Sequence, residues 1–105
     1  MISDDRAEGA VEFLRDTAEQ YGAFRGRLAS CDAALRRVKS LEMLGKEGGL
    51  GQREAEAYAS AGYLRAIEDL ENATADYETL RAKREAAQAT IEVWRSQTSA
   101  RKAGI

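Results

Sequence analysis

Histidine and proline are absent from the 105 residues, and cysteine occurs once. Without histidine there is no imidazole to act as a general base near neutral pH or as a nitrogen ligand for a transition metal. A Ser-His-Asp or Cys-His nucleophile cannot be assembled, nor can the Glu-x-x-His pairs of di-iron bundles. Enzymatic chemistry is therefore not expected, and no cofactor or metal is called for. The lone Cys31 can make no intrachain disulfide and reads as a buried thiol. No apolar run approaches the ~18 residues of a membrane span, and Met1-Ile2-Ser3-Asp4-Asp5 lacks a signal peptide's basic-then-apolar pattern. These features give a cytoplasmic expectation.

What remains is rich in alanine, glutamate, arginine and leucine, with 32% of residues charged and 7% aromatic. This is the composition of long helices and coiled coils. With proline missing, glycine is the only strong breaker, and four of the nine glycines fall within residues 44–51. Glycine is costly inside a helix and enters φ > 0 readily, so a reversal is expected there. The resulting expectation is one all-α domain over residues 1–105. It consists of a helix over 5–44, a turn over 45–51, a helix over 52–98 and a tail over 99–105. Ser3, Asp4 and Asp5 are N-cap candidates, Asp5 and Glu8 have capping-box spacing, and Gly45 suits a left-handed C-cap.

The first helical stretch carries heptad lines through Ala7, Leu14, Tyr21, Leu28 and Leu35 and through Ala10, Thr17, Phe24, Cys31 and Val38. The second carries Tyr63, Leu70, Tyr77, Arg84 and Ile91, interleaved with Ala59, Ala66, Ala73, Leu80, Ala87 and Trp94. A 3-4 spacing held over four heptads is a coiled-coil seam. Alanine on one line lets helix axes approach. Gly22 and Gly26 read as close packing or a slight bend. Arg84 at a seam position has two readings, an ion pair with Glu12 to within about one helical turn or a side chain snorkelling to solvent.

Charge supports the reversal independently. Net charge runs −4 over residues 1–24, +4 over 25–46, −6 over 47–78 and +4 over 79–105. Folding about Gly48 sets opposite signs side by side, the device that fixes helix orientation in coiled coils. Each helix also begins acidic and finishes basic, which suits its dipole.

Two helices offer one seam and no enclosed core. Phe13, Leu41, Met43, Leu50, Leu64, Ile67 and Val93 lie off it, so a homo-oligomer is expected, most simply two hairpins in a four-helix bundle. A different protein docked on this surface is the alternative. Gly45-Lys46 lacks the order and the preceding strand of a phosphate loop, and Glu68, Asp69 and Glu71 read as a solvated face. Two basic blocks, Arg25 to Lys39 and Arg95 to Lys102, admit nucleic acid as a partner. Against it stand the net charge of −2 and the acidic residues opposite both blocks.

Ile91-Glu92-Val93-Trp94-Arg95-Ser96, then Ser99-Ala100-Arg101-Lys102-Ala103-Gly104, resembles the C-terminal end of small helical proteins of bacteriophages and prophages. Tyr77-Glu78-Thr79-Leu80-Arg81-Ala82-Lys83-Arg84 is similar to the same group. The resemblance covers about the last thirty residues and implies an accessory role beside recombination genes, with no known active residues. The Trp-x-Gly turn and the Tyr-x-x-x-Asp/Glu signal of type VII secretion hairpins are missing. The functional expectation is a non-enzymatic interaction module that binds a protein of nucleic-acid machinery. Direct nucleic-acid binding, or inhibition of a host enzyme or defence complex, are the alternatives. Leu64, Ile67, Trp94, Arg95, Arg101 and Lys102 are the candidate contact residues.

Overall fold

The computed structural model describes residues 1–104 and is all-α, with no strand among the described residues. Its helices are α1 (Asp4–Leu44), α2 (Leu50–Tyr58) and α3 (Ala61–Ala103). Ser3 caps α1, its Oγ accepting from the Arg6 backbone N–H at 3.2 Å. The Asp5–Glu8 box is not used, and Asp4 and Asp5 sit instead in the first turn, where the helix dipole favours carboxylates. The dipole expectation holds at two of the four ends it named. The last turn of α1 has no basic residue and the first turn of α2, where the second helix was expected to start, no acidic one, whereas α3 does close on Arg101 and Lys102.

At the end of α1 the Lys46 N–H bonds the Met43 carbonyl at 3.2 Å, a tightened last turn. The left-handed residue is Gly48, with φ 103°, and not Gly45. A Cβ there would stand 2.5 Å from Gln52 Oε1 as well as straining the backbone. Gly22 and Gly26 have nothing within 4 Å of where a Cβ would be, so close packing does not explain them.

The helix expected over 52–98 is two helices. Ser60 N–H and Oγ both donate to the Ala57 carbonyl, at 3.1 and 2.7 Å, and the same Oγ accepts from the Tyr63 N–H at 3.1 Å. One side chain thus closes α2 and caps α3. The break shifts the helical phase, so Ala57 is buried where the continuous heptad put Ala59, which is exposed. At the other end, Ser99–Ala103 are the last turns of α3 and not a tail; Ile105 lies outside the described residues.

The chain divides into two compact units. The first joins Met1–Gly22 to Glu78–Ile105. Within it α1 and α3 are antiparallel: Ile2 N–H donates to Gln97 Oε1, Trp94 Nε1 to Asp4, and Arg84 reaches Leu14 and Thr17. Ala7 and Leu80 are its buried residues. The second, Ala23–Tyr77, is a hairpin of the rest of α1, the glycine turn, α2 and the start of α3. Arg27 bonds Asp76 at 2.8 Å and Tyr58 meets Tyr63 edge-on, with ring centroids 5.1 Å apart. Ala57, Ala66 and Ala73 are buried between its helices.

Every expected seam residue of α1 is buried or half-buried. The seam is thin nonetheless. Among the described residues, four of the five buried apolar ones are alanines, each contributing on the order of 0.8 kcal/mol for its methyl, and no large side chain is fully buried.

Candidate functional site

The six candidate contact residues fall in both units. In the second, Leu64 is 56% exposed and Ile67 half-buried on α3. Leu41, Leu44 and Leu50 are exposed near the turn. Leu64 stands one position along from the seam residue Tyr63, which turns it ~100° away from the seam.

Trp94, Arg95, Arg101 and Lys102 belong to the first unit. Trp94 is half-buried, its indole N–H donating to Asp4 Oδ1 at 2.7 Å. Trp94 lines a largely apolar hollow of about 350 Å³ with Ala7, Val11 and Ile91, bordered by Asp4 and Glu8. It also lines a second hollow of about 310 Å³ with Asp4, Thr98, Arg101 and Lys102. Arg95 turns back to Glu92 at 3.8 Å and lines neither hollow. Trp94 is thus both seam and surface.

The ion pair expected between Arg84 and Glu12 does not form. Arg84 Nη1 donates to the Leu14 carbonyl at 2.8 Å and to Thr17 Oγ1 at 2.7 Å, and its guanidinium lies 4.8 Å from the centre of the Tyr21 ring. Neither does the side chain snorkel. A helix carbonyl has a second lone pair, and Thr17 spends its own proton on Phe13, leaving its oxygen to accept.

In the second unit Lys39 Nζ sits 4.7 Å from the Tyr58 ring centre. A hydrogen bond to Tyr58 holds its pKa above the ordinary 10.5, with burial pulling weakly the other way. A raised lysine pKa stabilises the fold fully below the unfolded value and loses that contribution only as pH climbs through the folded one. Lys39 is therefore no switch at neutral pH.

One groove was not anticipated by the sequence reading. It has a volume of about 370 Å³, lies in the second unit and is lined by the small residues Ala34, Gly62 and Ala66 with Cys31, Val38 and Leu41. Glu42, Arg65 and Asp69 border it. A Cβ on Gly62 would approach Glu42 Oε1 to 2.7 Å and Val38 Cγ1 to 3.7 Å, so α3 passes close to α1 here. Arg65 and Asp69 are exposed and make no ion pair among the described residues. The sequence signal was Gly62 and Ala66 at i,i+4 beside Arg65 and Asp69 at i,i+4, a small pair next to a charged pair.

No group of three or more carboxylate or thiol side chains could hold a metal ion among the described residues, and no helix there is long and apolar enough to cross a membrane. No protein-family model, curated protein or solved structure matches the chain.

Proposed function

We propose that this chain is a non-enzymatic helical interaction module that pairs with a second copy, two antiparallel helix pairs making a four-helix bundle. Its remaining surface binds a protein of nucleic-acid machinery, in the accessory role that the bacteriophage resemblance implies. One observation carries this reading: Leu41, Leu44, Leu50 and Leu64 are each more than half exposed, while no large side chain among the described residues is fully buried. Apolar surface of that kind is stabilised by another protein surface, because its removal from water yields ~25 cal/mol per Å².

Direct nucleic-acid binding is a second reading, favoured by Arg101 and Lys102 beside the Trp94 ring, where a base could stack. The first basic block is less available to phosphate, since Arg27 is engaged by Asp76 and Arg36 by Asp32. Sedimentation equilibrium with a gel-shift titration at several salt concentrations separates the two. The expected result is an assembled mass and no shifted nucleic acid at physiological salt. A monomer that shifts nucleic acid with steep salt dependence overturns the protein-docking reading.

A further inference from the structure

Resting on the self-assembly just proposed, we infer that the second unit's groove is where two copies meet, about a two-fold axis that pairs Arg65 of each with Asp69 of the other. In a two-fold contact one patch must complement itself: residue i meets j, and j meets i. The groove has that property twice over. Its wall is small at Ala34 and Ala66 beside Cys31 and Val38, with Glu42 lying over Gly62, and Leu41, 59% exposed, also lines it. A knob and a hole share one patch. Arg65 and Asp69 stand one turn apart on α3, opposite in sign and without ion-pair partners among the described residues.

Within one chain this base-before-acid order is the weaker of the two i,i+4 orientations. Against an antiparallel copy of α3, with the axis between the two residues, both charges are matched, giving two ion pairs from one sequence motif. The self-complementarity of the Arg65–Asp69 pair favours a second copy, with Glu42 of each chain left on the same border as a further acid.

The test uses the full chain and its charge-reversed forms. Sedimentation equilibrium of the wild type should give a dimer. R65D and D69R should each dissociate at least tenfold more readily, with helical circular dichroism unchanged, because each homodimer then faces like charges at both sites. Mixed in equal amounts they should recover a dimer, since one chain brings two acids and the other two bases. L41E should also be monomeric. A wild-type dimer indifferent to these substitutions, or weakened singles that fail to recover on mixing, overturns this interface while leaving self-assembly standing. A wild-type monomer overturns both and leaves the groove to a different protein.

Discussion

Arg84 shows how far a single residue can be read from spacing. The heptad placed it on the seam, and antiparallel register placed it within a turn or so of where it lies. Its partner was not legible. An ion pair needs one particular acid, whereas a guanidinium has five donors that any helix carbonyl, hydroxyl or ring face can satisfy. Leu14, Thr17 and Tyr21 supply all three in the first unit. Glu12 is exposed, and an exposed pair there would be worth only ~0–1 kcal/mol. Two hydrogen bonds from a charged donor and a ring contact exceed that. Arg84→Ala should therefore lower stability by about 1–2 kcal/mol in urea unfolding, given half-burial and a hole at the seam. Arg84→Lys, which keeps the charge and loses the fork, should fall between the two. If alanine is as stable as wild type, the contacts are incidental.

At the scale of elements, the reversal was legible because glycine clusters are rare and no proline competes with them. The break at Ala59–Ser60 was not. Serine is tolerated inside alanine-rich helices, and no glutamate or glutamine stands three residues on to complete a capping box, since that place is held by Tyr63. Only the geometry reveals that Ser60 Oγ donates to Ala57 and accepts from Tyr63. The same break explains the one seam residue misassigned on the second stretch, because a new helix start resets which alanine faces inward. Removing an N-cap hydroxyl costs about 0.5–2 kcal/mol. Ser60→Ala should lose roughly 1 kcal/mol of that in thermal or urea unfolding, partly offset by the better helix propensity of alanine. Ser60→Thr keeps both hydrogen bonds and should hold the wild-type midpoint. A gain of helical signal in Ser60→Ala without loss of stability would mean that α2 and α3 simply fuse, and that the cap contributes nothing.

For the molecule as a whole, the four-block charge pattern was a coarser guide than it looked. Arg27–Asp76 joins two helices, whereas Arg36–Asp32, Arg81–Glu78, Arg81–Glu85 and Arg95–Glu92 run along a single helix at i,i+3 or i,i+4. Block charge sets which segments attract, while individual arginines take the nearest carboxylate, and that is one turn away on the same helix. The apolar pattern was the better guide, and it also shows what is missing, since five buried residues among those described, four of them alanine, are a small core for two long helices. If a second copy supplies the rest, stability must depend on concentration, because mass action favours whatever binds only the folded chain. Each tenfold rise in protein then adds about 1.4 kcal/mol of apparent stability and raises Tm by a few degrees. Calorimetry across a hundredfold range of concentration measures this directly. A midpoint that climbs in step means that folding and pairing are one event, whereas a fixed midpoint means that the thin seam suffices alone and that the exposed leucines serve a partner bound only after folding.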